Sequence, residues 1–249
     1  MPFKVEKVTL GDILPYRHLF LQEINRQVRY NATHERRWSD SYLLYADDTV
    51  IGYGSVNGQE IPDRDTLFEF YLLPLYQHLA SRVFPYLLSA SGVQYIETQS
   101  NALLLTTMLY EFAVNIHAPV ILFEDGPHTN LPPPAGVTFQ TRQSFEALYG
   151  KQKESDSGYV LEKAGEEIGN GDFLLHYNKP FADLYMEVKE SHRQQGLGAY
   201  LIQELKRVCH AAGKIPAARC NIENKASKAT LLKGGLQVVG LMLIGEVKK

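Results

Sequence analysis

The stretch Arg193-Gln194-Gln195-Gly196-Leu197-Gly198 carries the clearest chemistry in the sequence. It lies between a strand expected to end at Val188 and a helix expected to start at Leu197. Glycines there let the backbone come close to a ligand and turn several N–H groups the same way. At a helix N-terminus those groups, together with the macrodipole, favour an anion. A phosphate or pyrophosphate is the obvious guest, with Lys189, His192 and Arg193 adding positive charge beside it. The plainer reading is that the glycines only permit a tight strand-to-helix turn, and a pattern this loose arises by chance in roughly one chain in four of this length. The stretch is not a dinucleotide fingerprint, because only two glycines fit and no acidic residue closes a strand about 20 residues on. It is not a P-loop either, because no Gly-Lys-Ser/Thr follows.

Other reactive side chains are quieter. The chain has 2 cysteines, Cys209 and Cys220, too few for a disulfide framework in 249 residues, so reduced thiols in a cytoplasmic protein are expected. Cys220, in mid-strand beside apolar residues, reads as inert packing. His176 and His210 show no metal-ligand spacing and read as surface or hydrogen-bonded residues. A net charge of -3 gives no general pull toward nucleic acid or an anionic membrane, although a local basic patch stays open. Residues 1–7 are charged where a signal peptide needs its apolar stretch, and no run approaches the roughly 18 apolar residues that span a bilayer.

The elements around the loop follow from periodicity. Residues Leu197, Tyr200, Leu201, Leu205, Val208, Cys209 and Ala212 fall at spacings of three and four, giving a helix over 197–212 that Gly213 stops. Around it, 158–162 and 171–176 read as a hairpin pair, and 183–188, 217–222 and 238–244 as strands. A second helix covers 225–233. In the first half, 5–10, 41–45, 50–56, 66–73, 93–98 and 120–123 read as strands, with a hairpin at 46–49. Residues 12–29, 79–89 and 101–112 read as helices. Between the halves, residues 125–136 gather four of the 12 prolines and two glycines, which can continue neither helix nor ladder. The halves share one element order at an offset of 116–123 residues, which fits an internal duplication or two unrelated α/β halves.

From about Gly158 to Val247 the sequence resembles the GCN5-related N-acetyltransferase (GNAT) family. The resemblance rests on Leu184-Tyr185-Met186-Glu187-Val188, the glycine loop with Ala199-Tyr200-Leu201, Asn221-Ile222-Glu223-Asn224-Lys225-Ala226-Ser227, and Leu231-Leu232-Lys233-Gly234-Gly235-Leu236, in the family's order. Leu236 stands where phenylalanine is commoner. The resemblance implies an α/β fold with a mixed sheet, here as tandem GNAT-like folds. It divides the chain into a degenerate N-terminal copy (1–126), a Pro-rich linker (127–136) and an acetyltransferase domain (137–249). It implies acetyl-CoA or another acyl-CoA as donor and direct transfer to an amine in a ternary complex. The amides from Gln194 to Ala199 (Gln194, Gln195, Gly196, Leu197, Gly198, Ala199), with Arg193, would hold the pyrophosphate. The edge at Met186, Glu187 and Val188 would pair with the pantetheine amides, and Asn224 and Ser227 would lie alongside.

Glu187, just before the loop, is the candidate general base, against a surface or salt-bridged glutamate. Tyr185, on the same strand face, binds substrate or fills core. The resemblance also implies a tyrosine donor two residues before Gly234, where this chain has Leu232. A water, unprotonated departure of the thiolate, or a non-catalytic acyl-CoA-binding module would each accommodate that leucine. In the first half the matching loop is Gln77-His78-Leu79-Ala80-Ser81-Arg82, with Ala80 and Arg82 in the glycine slots, so no usual CoA binding is expected there. Glu69, Asp63, Tyr71 and Tyr76 could touch an acceptor or play ordinary sheet and loop roles. The expected partners are acetyl-CoA and an unidentified amine, with no nucleic acid or membrane and no metal, in a monomer or homodimer.

Overall fold

The structure, a computed structural model, describes residues 2–24, 26–27, 30–152 and 155–248. In chain order its first elements are β1 (Phe3–Val8), α1 (Leu10–Glu23), α2 (Tyr30–Glu35), β2 (Ser39–Ala46), β3 (Thr49–Asn57), β4 (Thr66–Leu72), α3 (Ala80–Ser91), β5 (Tyr95–Gln99), α4 (Leu103–Phe112) and β6 (Ala113–Asp125). There follow β7 (Val137–Thr141), α5 (Arg142–Tyr149), β8 (Tyr159–Lys163), β9 (Glu166–Leu174), β10 (Phe181–Val188), α6 (Leu197–Ala211), β11 (Ile215–Asn221), α7 (Lys225–Lys233) and β12 (Leu236–Val247). The architecture is mixed α/β, as the sequence led us to expect.

The chain forms two compact units, one of residues 1–120 and 240–249, the other of residues 121–239. These do not divide at the proline cluster, because β6 and β12 each run through a unit boundary. In the first unit β1, β2, β3 and β4 pair antiparallel in sequence order and β4 pairs β5 in parallel. The last part of β12 then lies antiparallel on β5, from Met242↔Gln99 to Glu246↔Tyr95. Its core packs Leu67, Phe70 and Ile96 of the sheet under Val83, Phe84 and Leu87 of α3. Ile13 and Phe20 of α1 cover Tyr53 and Tyr71 on the other face. Each such side chain contributes about 1.5–3 kcal/mol by leaving water.

In the second unit β7, β8, β9 and β10 pair antiparallel, β10 pairs β11 in parallel, and residues 121–125 of β6 follow β11 in the order. Of the apolar stripe read on α6, Leu197, Leu201, Leu205 and Cys209 are at most 3% exposed and Tyr200 is buried, whereas Val208 is half-buried and Ala212 exposed. Gly213 closes that helix with φ 69°.

A repeated detail ties the two units to one plan. β3 carries Ile51-Gly52-Tyr53-Gly54 and β9 carries Ile168-Gly169-Asn170-Gly171. Gly52 faces Leu72 near the end of β4, and Gly169 faces Val188 at the end of β10. A Cβ on Gly54 would meet Leu87 of α3 at 2.5 Å, and one on Gly171 would meet Leu205 of α6 at 2.8 Å. In each unit the strand is bare so that a helical leucine can press onto it.

Several expectations shift. The first helix ends at Glu23, short of Arg29, which lies outside the described residues. β9 starts at Glu166 rather than Gly171, because Ala164 (φ 52°) and Gly165 (φ 81°) make the tight turn from β8. Residues 127–136 form neither helix nor strand, yet they are strapped to α6. Gln203 accepts from the Leu131 N–H at 2.7 Å and donates to the Leu131 carbonyl at 3.1 Å. The buried Lys206 ammonium donates to the carbonyls of Gly126 and Pro127, both at 3.4 Å, and of Gly235, and pairs with Asp125 at 3.0 Å.

Candidate functional site

β10 and β11 pair only over Phe181↔Ile215, Ala182↔Pro216 and Asp183↔Ala217. Beyond Asp183 that ladder ends, and the β11-side edge of residues 184–188 is open for an extended guest to pair with. Strand alternation sends Leu184, Met186 and Val188 to the α6 face and Asp183, Tyr185 and Glu187 to the other.

After β10 the chain makes a 3₁₀ turn over Glu190–His192, with the His192 N–H donating to the Lys189 carbonyl at 2.9 Å. Gln194 (φ 63°) and Gly196 (φ 80°) then take left-handed conformations, and Gly196 becomes the N-cap of α6. No side chain caps this helix. The N–H groups of Leu197, Gly198 and Ala199 precede the first intrahelical donor, the Tyr200 N–H that bonds the Gly196 carbonyl at 3.1 Å, and so are left for a guest. The two glycines serve different ends. A Cβ on Gly196 would meet nothing within 4 Å, so that position is needed for its positive φ. A Cβ on Gly198 would come within 3.0 Å of Thr230 Cγ2 and 3.2 Å of Met186 Cε.

These elements enclose a cleft of about 590 Å³ lined by Met186, Glu187, Val188, Arg193, Gln194, Gly196, Leu197, Gly198, Ala199, Asn224 and Ser227, and also by His192, Thr230 and Lys233. Of the residues singled out from the sequence for the donor site, Gln195 and Lys189 do not line it. The periodicity of α7 could have pointed to Thr230 and Lys233, which follow Ser227 at helical spacing on its side facing the cleft. Asn224 caps α7, its Oδ1 accepting from the Ser227 N–H at 2.9 Å. Lys189 is not among the lining residues and pairs with Glu166 at 2.8 Å. Arg193 folds back, its Nε donating to the Val188 carbonyl at 3.1 Å.

Glu187 is exposed and faces Asn170 across the β9–β10 ladder. Tyr185 is half-buried, and burial pushes its phenol above the ordinary value while the Ser157 hydroxyl pulls against that. Leu232 is 43% exposed and lies outside the cleft, whereas Leu231 is buried. A side chain at position 232 therefore stands away from the cleft, and its buried neighbour at 231 is also a leucine. Burial pushes the Cys209 thiol up to about 12 and raises Cys220 as well, as suits packing cysteines. His176 bonds Asp183 at 2.9 Å and His210 pairs with Asp125 at 3.1 Å, which fits their reading as hydrogen-bonded residues.

The first unit has the same split, since β4 and β5 pair only over Thr66↔Tyr95 and Leu67↔Ile96, but there the space shrinks to about 10 Å³ between residues such as Phe20, Phe68, Phe70 and Leu105. No residue from 74 to 82 has a positive φ, Ala80 is buried, and Arg82 lies over the Phe3 ring at 5.3 Å. Glu69 is buried and fully engaged. Arg17 Nε donates to both its oxygens at 3.2 Å, Tyr53 donates at 3.0 Å, and His34 Nε2 lies 3.0 Å away. Burial alone would raise its carboxyl, but Arg17 and His34 outweigh that and hold it down at about 2. Tyr71 is buried and donates to Glu23 at 2.6 Å, Tyr76 packs on the core, and Asp63 sits exposed in a 3₁₀ turn.

Residues 127–233 match the family model described as acetyltransferase (GNAT) family. A search of curated proteins gives no match. Among solved structures, an acetyltransferase of the GNAT family from Colwellia psychrerythraea aligns over 98% of this chain and 100% of its own, at 16% identity and a TM-score of 0.76. A GCN5-related N-acetyltransferase from Sphaerobacter thermophilus covers 99% and 96%, at 12% identity and 0.57. A tandem GNAT protein from the clavulanic acid biosynthesis pathway covers 100% and 99%, at 9% identity and 0.54. At such identities the likeness is one of fold, and it spans both units. Residues 127–233 thus match the acetyltransferase (GNAT) family model, within a chain whose fold is similar over its whole length to that of solved GNAT acetyltransferases, a tandem member included.

Proposed function

We propose that the protein is an N-acyltransferase that takes an acetyl group from acetyl-CoA and delivers it to an amine. The carrying observation is the pairing of an open strand edge after Asp183 with an uncapped, glycine-led helix N-terminus on one 590 Å³ cleft. Those groups suit coenzyme A well. The N–H groups at the start of α6 would hold the pyrophosphate. The edge at Met186–Val188 would pair with the pantetheine amides, and Ser227 and Asn224 would flank them. The amine lone pair would attack the thioester carbonyl carbon, forming C–N and breaking C–S, with the proton leaving to Glu187 directly or through water. The first unit, with its split filled, would not bind coenzyme A. No helix among the described residues is long and apolar enough to cross a membrane, and the two buried free cysteines suit a reducing cytoplasm.

A non-catalytic acyl-CoA-binding role has one observation in its favour, the leucine at 232 where the family resemblance implies a tyrosine proton donor. One series of measurements separates the two. In calorimetry the wild type should bind acetyl-CoA, and Gly198→Val, which drives a side chain at Thr230 and Met186, should weaken binding by at least tenfold while remaining folded. Incubation with a panel of amines should release CoA together with acylated product. Glu187→Gln should then lower kcat by about a hundredfold and remove the acidic limb of the pH profile. Unchanged binding in Gly198→Val would refute the site, and an unchanged profile in Glu187→Gln would remove the base.

A further inference from the structure

Three basic side chains, His192, Arg193 and Lys233, line the cleft together with the carboxylate of Glu187. Among its cations, Arg193 already gives its Nε to the Val188 carbonyl, and the His192 ring bonds Ser191 at 2.9 Å. Lys233 also lines the cleft, and among the described residues no hydrogen bond or ion pair occupies its ammonium. Its position is set by packing. α7 runs beside α6 with Thr230 against Gly198 and Gly234 against Ile202. Lys233 therefore stands one turn beyond Thr230, away from the capped start of α7. Helical side chains lean toward their own N-terminus, which carries the Lys233 chain back over the Thr230 turn to the rim of the cleft, outside the helix start that would hold the pyrophosphate. The part of coenzyme A that lies beyond the pyrophosphate on that side is its ribose, which bears a phosphomonoester.

We propose that Lys233 is the anchor for that phosphomonoester, so that the site selects coenzyme A over its 3′-dephospho form. The inference rests on the acyl-CoA reading above and adds the group that tells one donor from a near-identical one. A single ammonium at a solvent-facing rim confers a modest, salt-sensitive preference of about fivefold. The selectivity would come from this residue because the loop amides and the strand edge meet parts that the two molecules share.

Calorimetry on the full chain with CoA and 3′-dephospho-CoA at low ionic strength tests this. The wild type should bind CoA about fivefold more tightly, and the preference should shrink as salt rises. Lys233→Met should lose the preference by weakening CoA alone, with dephospho-CoA unchanged, and Lys233→Arg should keep it. Because Lys233 is exposed, both variants should melt like the wild type. Equal wild-type affinities, or a Lys233→Met variant that keeps the preference or weakens both ligands alike, would overturn the proposal while leaving the acyl-CoA site standing. A wild type that binds neither molecule would overturn the acyl-CoA reading, and this proposal with it.

Discussion

Glu69 and Glu187 lie on the strands that open the two splits, and their surroundings give them opposite fates. Glu187 faces solvent at a cleft, where a carboxylate can exchange protons with a guest. Glu69 is sealed under α1 and α2 by Arg17, His34 and Tyr53. Its folded-state pKa of about 2 lies below the roughly 4.3 of an unfolded glutamate. The stability it contributes is therefore complete above that unfolded value and is lost as pH falls through the interval down to about 2. Glu69→Gln leaves Arg17 buried without its counter-charge and should cost roughly 3–5 kcal/mol at neutral pH. It should also flatten the loss of stability between about pH 4 and pH 2. Urea titrations across that range read both, and a variant as acid-sensitive as the wild type would show that other carboxylates govern the acid limb. Sequence alone left Glu69 open between acceptor contact and core, because its partners lie 52, 35 and 16 residues away and nothing local announces them.

At the scale of elements, α6, α7 and the strands that frame the site were legible because their apolar spacing is regular and their stops are glycines. The misses have physical causes. β6 was read as 120–123 but runs from Ala113 to Asp125, since Asn115, His117 and Pro119 interrupt the apolar pattern at the sequence level. β7 and α5 give little signal because each is short, at 5 and 8 residues, and β7 follows closely on the prolines. The twin Ile-Gly-x-Gly strands were legible only as strands. Why each needs its second glycine emerges once the helical leucine is seen pressing on it. That contact gives a clean test in the first unit, where the three atoms nearest the missing Cβ of Gly54 all belong to the Leu87 side chain. Gly54→Ala should destabilise by about 1–3 kcal/mol through overpacking. In a Leu87→Ala background the same change should cost much less, so a double-mutant cycle in denaturant should show coupling of about 1 kcal/mol or more. Additive costs would mean that the glycine is kept for its backbone and not for the leucine.

For the molecule as a whole, the telling feature is that the first unit is finished by residues 240–249. Leu243 and Met242 are buried, and Gly245 lies so close to Ala113 and Ile116 that a Cβ would sit within 3.0 Å of both. Removing residues 240–249 should therefore strip β5 of its partner strand and destabilise the first unit, although the deleted residues belong to the opposite end of the sequence. The expected signature is a new, earlier thermal transition and faster amide exchange in β5 and α4, with the donor cleft's own strands less affected. A truncated chain that melts like the intact one would contradict this. The sequence-level split at residues 127–136 hides such a dependence, because linear order does not reveal which unit a terminal strand completes. The same feature sets a timetable for biogenesis. During translation at roughly 5–20 residues per second, domains usually close in the order in which they emerge. Here residues 1–120 must wait, the β5 edge unpaired, until residues 240–249 have been made, so a part of the chain made early becomes native only after one made much later.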